Sequence, residues 1–264
     1  MEKINHKFKK SLGQNFLKDD RIVNKIVEIS EIKNNSLVIE VGPGAGILTN
    51  ALSLTSDRVL AYELDLDLKN RLENMFCNRN VDFLFKDFLY SDLVDDISKY
   101  DYDNLYFVSN VPYYITTPIL QKLIDTGLHF EKIVMMVQKE VADRFSASSN
   151  CKEYGSITVF LNYFFDIKNE LFVPREEFIP EPNVDSEVVS LTPKVNQTLV
   201  KDFDFFQKLI KDSFQFKRKN IKNNLKKYDL NIIESILKKY DLDLSCRAEQ
   251  IDTNIFVEIS NALS

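Results

Sequence analysis

Asn110, Pro112 and Tyr113, in the stretch SNVPYYITTP, leave an apolar run with no charged residue among them. The Asn110 side-chain oxygen and a main-chain carbonyl near Pro112 are two acceptors that need not ionise. Set on the two N–H groups of a flat aryl amine, they would draw its nitrogen towards tetrahedral geometry and free the lone pair for attack on an electrophilic carbon. Positive charge grows on that nitrogen as the bond forms, so such acceptors favour the transition state over the ground state. Tyr113 adds a ring on which a planar base can stack, worth about 1–3 kcal/mol. Nothing here requires a proton-accepting side chain, and the chain holds only His6 and His129.

A second cluster lies upstream. Three of the six glycines, Gly42, Gly44 and Gly46, fall in EVGPGAGILT, after one apolar run and before a helical one. Glycines at such a turn allow a tight path and bring a ligand close to main-chain N–H groups at a helix N-terminus. The spacing is G-x-G-x-G, and position 47 is Ile where a dinucleotide fingerprint has its third glycine. Glu63 ends the next apolar run, 21 residues after Gly42, where a carboxylate can accept both hydroxyls of a ribose. Asp87, in LFKDF, follows a third run and can meet an adenine amino group or cap a turn. An acid at the second run suits nicotinamide and S-adenosylmethionine sites alike.

The elements that must carry these residues follow from periodicity. Short apolar runs at 37–41, 58–63, 81–85, 105–109 and 132–138 alternate with helical patterns at 46–55, 65–77, 117–126 and 139–148. That alternation predicts an α/β fold with a mostly parallel, doubly wound, Rossmann-like sheet. Two further strands are expected at ITVFLNYFF (157–165) and EVVSLT (187–192), pairing antiparallel across a proline-rich link. DDRIVNKIVEISEI predicts a helix capped by Asp19 or Asp20. Residues 200–264 have helical periodicity and neither Gly nor Pro, so a catalytic domain over 1–194 and a small all-α domain over 195–264 are expected.

Composition narrows the class. With 264 residues, 44% hydrophobic and 20 Phe, the chain can bury a substantial core. No run approaches the roughly 18 apolar residues of a membrane span, and the charged start MEKINHKFKK reads as no secretory signal. Cys77, Cys151 and Cys246 have no metal-ligand spacing, so a cytoplasmic, metal-free protein is expected. Net charge is −6, yet KINHKFKK and FKRKNIKNNLKK are basic runs without an acid. On a continuous helix Arg218, Lys222 and Lys226 would share one face, poised for phosphate, beside an apolar stripe of Phe214, Ile221, Leu225 and Tyr228 able to dock on the main domain.

Taken together, these motifs resemble those of the ribosomal RNA adenine dimethyltransferases over nearly the whole chain. SLGQNFL (11–17) resembles the family's N-terminal cofactor segment, EVGPGAGILT its cofactor loop, YELD and KDF its acidic positions, and NVPY its N-x-P-Y catalytic motif. EEFIPEPNVDSEVV resembles the F-x-P-x-P-x-V-x-S loop, and the tail resembles the small-subunit branch. The resemblance implies a class I methyltransferase with a seven-stranded sheet that uses S-adenosylmethionine, releases S-adenosylhomocysteine, and dimethylates N6 of two adjacent adenosines near the 3′ end of small-subunit ribosomal RNA. It implies donor contacts from Asn15, Leu17, Gly42, Gly44, Gly46, Glu63, Asp87 and Asn110, and an adenine held between Tyr113 and Phe178. Overall acidity points to an assembled or partly assembled subunit, met by a monomer without a membrane, as the substrate. A large-subunit dimethyltransferase, a non-catalytic assembly or transcription factor on the same fold, and a nicotinamide dehydrogenase are the competing readings. Val111, where the family usually has leucine, is a minor departure.

Overall fold

The computed structural model describes residues 15–195 and 198–264; the first basic run and most of SLGQNFL lie outside them. β1 (Phe16–Leu17) precedes α1 (Asp20–Ser30), whose N-cap is Asp19, its carboxylate accepting the Arg21 N–H at 2.8 Å. Strand and helix then alternate: β2 (Ser36–Val41), α2 (Ile47–Thr55), β3 (Arg58–Tyr62), α3 (Lys69–Met75), β4 (Val81–Leu84), α4 (Leu93–Ile97), β5 (Asn104–Asn110), α5 (Thr116–Asp125), β6 (Lys132–Gln138) and α6 (Lys139–Phe145). Next come α7 (Ser156–Phe164), β7 (Phe165–Val173), β8 (Phe178–Ile179) and β9 (Ser186–Pro193).

Seven strands form one sheet in the order β4-β3-β2-β5-β6-β9-β7, while β1 and β8 pair as a separate antiparallel ribbon. The first five strands of that order are parallel, and β9 runs antiparallel to β6. Strand order reverses between β2 and β5, where the connections leave to opposite sides and a crevice opens beyond the carboxyl ends. β2 is buried along its whole length, as a central parallel strand covered on both faces must be.

One expected strand is a helix. ITVFLNYFF has the β-branched and aromatic residues of a strand, but residues 156–164 form α7. The Gly155 N–H donates to Thr158 Oγ1 at 3.0 Å, and Thr158 Oγ1 donates to Arg144 O at 2.6 Å, which fixes the first turn. Phe160, Tyr163 and Phe164 then pack in one aromatic cluster with Phe203 and Phe206. Burial around most of the helix removes the amphipathic signal, leaving a run that periodicity cannot tell from a buried strand. The strand that completes the sheet is FDIKNELFV, an edge strand exposed at most of its interior positions.

The chain divides into two compact units, one running to Ala142 and resuming over Lys168–Thr192, the other comprising Asp143–Ile167 and Pro193–Ser264. The last boundary falls near the expected 194/195 cut, but residues 143–167, α7 included, pack with the helical unit. That unit adds α8 (Phe203–Ser213), α9 (Ile221–Asn224), α10 (Leu230–Leu237) and α11 (Thr253–Leu263). Ile221, Leu225 and partly buried Phe214 and Tyr228 belong to this unit's own core with Phe206, Ile233 and Phe256, rather than forming a stripe left for docking.

Nor is the basic run one helix. α9 spans four residues; Arg218 stands in the turn before it and Lys226 in the turn after it. Asn220 Oδ1 caps α9 by accepting the Asn223 N–H at 3.1 Å, and the buried Asn224 Nδ2 donates to Ser213 O at 2.7 Å. Asparagine side chains that bond to main chain compete with helix propagation, which is why KNIKNNL breaks where a continuous face was expected.

Candidate active site

A cavity of about 240 Å³ opens at the carboxyl ends of β2, β3, β4 and β5, at the reversal of strand order. Its lining includes Asn15, Leu17, Gly42, Gly44, Glu63, Asp87, Asn110, Pro112 and Tyr113, so segments far apart in the chain converge on one crevice. Gly46 begins α2 just behind this lining as its N-cap.

The glycine loop is shaped by positive φ, at +74° for Gly42, +55° for Gly44 and +82° for Gly46. A Cβ on Gly44 would come within 2.5 Å of Phe16 Cε1, so this loop and β1 require glycine there. All three glycine N–H groups are already bonded within the protein. Gly42 N donates to Tyr62 O at 2.8 Å, Gly44 N to Glu63 Oε2 at 3.1 Å, and Gly46 N to Pro43 O at 2.8 Å. A pyrophosphate cradle needs such N–H groups free. The three glycines therefore allow close approach without supplying donors of their own.

Carboxyl groups dominate the cavity's electrostatics. Glu63 is 5% exposed; its Oε1 accepts the Asp65 N–H at 2.8 Å, and burial raises its pKa against the help of these hydrogen bonds. Glu40, which precedes the glycine loop, is 1% exposed, and burial pushes its carboxyl up to about 8, with nearby Glu63 adding to the rise. Thr49 offsets a little of this, although neither Glu40 Oε2 nor Thr49 Oγ1 completes a hydrogen bond. Sequence reading missed Glu40; the signal was an acid inside an apolar strand two residues before Gly42. Asp87 lines the cavity, and its Oδ1 caps the following turn through the Leu89 N–H at 2.9 Å. Lys86, also in the lining, is paired with Asp96 at 2.6 Å. Lys122 on α5 holds the Asp87 turn by donating to Leu89 O and Ser91 O at 3.3 and 2.5 Å.

At the end of β5, Asn110 Nδ2 donates to Asn15 O at 3.3 Å. That bond assigns the amide's donor end to the protein and leaves Oδ1 as its acceptor. The Pro112 carbonyl accepts the Ile115 N–H at 3.1 Å, closing a short turn, so the Val111 carbonyl, with no such partner among the described residues, is the better second acceptor. Tyr113 lines the cavity, and its hydroxyl is bonded to Ser186 Oγ at 2.6 Å.

Phe178 is not brought to the cavity. It pairs with Leu17 in the β1–β8 ribbon, is 1% exposed, and belongs to the core with Val173 and Val188. Ribbon pairing turns this side chain inwards, which a linear reading of FIPEP cannot reveal. Arg218, Lys222 and Lys226 belong to the helical unit, exposed, with no ion-pair partner among the described residues.

Residues 5–264 match the family described as ribosomal RNA adenine dimethylase. The chain is 40% identical to a ribosomal RNA small subunit methyltransferase A of Streptococcus thermophilus, covering 100% of this chain and 94% of that one. It is 42% identical to the protein of that name from Mycoplasma mobile, covering 96% and 97%. Among solved structures, a dimethyladenosine transferase from Plasmodium falciparum superposes with a TM-score of 0.74 at 26% identity, over 92% of this chain and 95% of that one. The 23S rRNA methyltransferase ErmE superposes equally well, at 0.74, with 24% identity over 94% and 99%, a likeness of fold. The fold is that of a class I methyltransferase, a class whose methyl donor is S-adenosylmethionine, and the chain belongs to the ribosomal RNA adenine dimethylase family.

Proposed function

We propose that the chain places two methyl groups on N6 of each of two adjacent adenosines near the 3′ end of small-subunit ribosomal RNA, releasing S-adenosylhomocysteine. It acts as a monomer on an assembled or partly assembled subunit. The observation that carries the reading is the pairing of an acid-lined cavity, whose glycine N–H groups are all occupied, with an asparagine amide held so that its oxygen is the acceptor. Such a cavity disfavours phosphate and suits a donor that carries positive charge, which argues against a nicotinamide dinucleotide. Identity of 40–42% to relatives named for the small subunit supports that branch over the large-subunit one.

Bound S-adenosylmethionine supplies an electrophilic methyl carbon on a sulfonium centre. Glu63 accepts from the ribose hydroxyls and Asp87 from the adenine amino group of that donor, while Glu40 stands beside them as a buried carboxyl held largely protonated. Asn15 and Leu17 line the crevice where they would touch the donor. Asn110 Oδ1 and the Val111 carbonyl accept from the target N6 amine as charge develops there. Tyr113 stacks on the adenine, which must leave its own stack to enter. Arg218, Lys222 and Lys226, exposed and without an ion-pair partner among the described residues, are proposed to meet ribosomal RNA phosphates.

The direct test incubates unmodified small subunits with the protein and S-adenosylmethionine, then digests the RNA for mass spectrometry. Two adjacent dimethyladenosines near the 3′ end are expected. Product found only in a parallel incubation with large-subunit RNA would move the chain to the other branch, and no product in either would favour a non-catalytic factor.

A further inference from the structure

We infer that Ser186 is a positioning residue for methyl transfer, acting through Tyr113. The inference rests on the reading of the cavity as the site of adenine methylation and adds a residue to its machinery. Ser186 is the first residue of β9, fully buried, and opposite Gln138 at the carboxyl end of β6. The residue before it is pinned twice. Asp185 O accepts the Lys139 N–H at 3.0 Å, and Asp185 Oδ1 accepts the Arg175 N–H at 3.1 Å. From this fixed base the Ser186 hydroxyl meets the Tyr113 hydroxyl at 2.6 Å, 73 residues away in sequence.

Tyr113 needs such an anchor. It sits in a short turn outside the sheet, held locally by the Thr116 hydroxyl donating to its carbonyl at 3.2 Å. The hydrogen bonds of that turn end on main-chain carbonyls and leave the ring itself unanchored. A hydrogen bond at the far end of the ring, to a buried hydroxyl on a sheet strand, fixes where the tip of the ring stands and so the direction of its long axis, and burial raises the phenol's pKa. Stacking depends on where the ring stands against the base, and transfer depends on where the amine then lies, so a loosened ring lowers turnover more than binding. The second methylation depends on it most, because the N6-methyl amine must re-enter with its one remaining N–H on an acceptor.

Three variants, Ser186→Ala, Tyr113→Phe and the double variant, test this on unmodified small subunits with S-adenosylmethionine. Each single variant is expected to lower kcat about 3–10-fold, the factor for one hydrogen bond. KM for the subunit and calorimetric affinity for S-adenosylmethionine should hold, and the ratio of monomethyl to dimethyl adenosine should rise. The double variant should be no slower than either single one. Multiplying effects, or an unchanged product ratio, would overturn the inference. If Ser186→Ala fails to fold, Tyr113→Phe breaks the same bond from the other side, and unaltered kcat and product ratio there would overturn it equally. A wild-type protein that makes no dimethyladenosine sinks the underlying reading as well; a wild-type protein that does, beside variants that match it, sinks this inference alone.

Discussion

The crevice beside β2 and the turns around α9 solve opposite problems with opposite means. In the crevice nearly every polar group is committed. Glycine N–H groups, the Asn110 amide, the Asp87 carboxylate and the Tyr113 hydroxyl all have protein partners that set their direction. Around α9, residues 215–219 are all exposed, and the cations Lys217, Arg218, Lys219, Lys222 and Lys226 have no ion-pair partner among the described residues. Precise direction suits bond making, where a misplacement of about 1 Å costs about 10²-fold. Loose positive charge suits a polyanion, where attraction arises from counterion release and tolerates many geometries.

That contrast is broken most severely at Asn110. Asn110→Ala is expected to lower methyl transfer by about 10²–10³, the effect of deleting one transition-state hydrogen bond, with subunit affinity little changed. Near-normal single-turnover rates would remove the basis for regarding the crevice as directional. Neutralising Arg218, Lys222 and Lys226 together should leave the chemical step intact and flatten the salt dependence of subunit binding, by about one unit of log–log slope for each phosphate no longer neutralised. Binding measured across a salt series, with an unchanged slope, would place the phosphate-binding surface elsewhere.

The smallest effect sharpens the electrostatic side of the comparison. Glu40's carboxyl lies near 8 in the folded protein against an ordinary 4.5, so the folded state holds a proton that the unfolded state has released. Its contribution to stability is therefore greatest below pH 4.5, falls as pH rises through that value towards about 8, and is level above. Glu40→Gln removes this slope. Without donor, its melting temperature relative to the parent should rise between about pH 5 and about pH 8. A difference that stays constant across that range would show the carboxyl is not held protonated.

How much of this is readable in the residues depends on how local the signal is. The alternation of runs from Leu37 to Gln138 discloses the parallel part of the sheet, and the glycine triplet, Glu63 and the Asn110–Tyr113 stretch point to one crevice without any geometry. Each is a short segment whose meaning comes from its own neighbours. α7 reads as a strand because burial around it erases the period by which helices are recognised, and FDIKNELFV escapes notice because an edge strand needs few apolar residues. Phe178 eludes a linear reading because a ribbon with β1, more than 150 residues earlier, decides which way it points. The expected helix through Arg218 fails for a different reason, since Asn220 and Asn224 bond to main chain rather than extend it.

The satisfied glycine turn has a consequence for selectivity among abundant metabolites. Phosphorylated nucleotides share adenine and ribose with the proposed donor, and Glu63 and Asp87 alone would welcome them. With no amide hydrogens left on Gly42, Gly44 or Gly46 to greet an anion, the glycines give a phosphate no donor at the place where related folds clasp theirs, and ATP and NAD are expected to bind weakly there. Selectivity against the commonest adenosine compounds would then come from what the loop withholds.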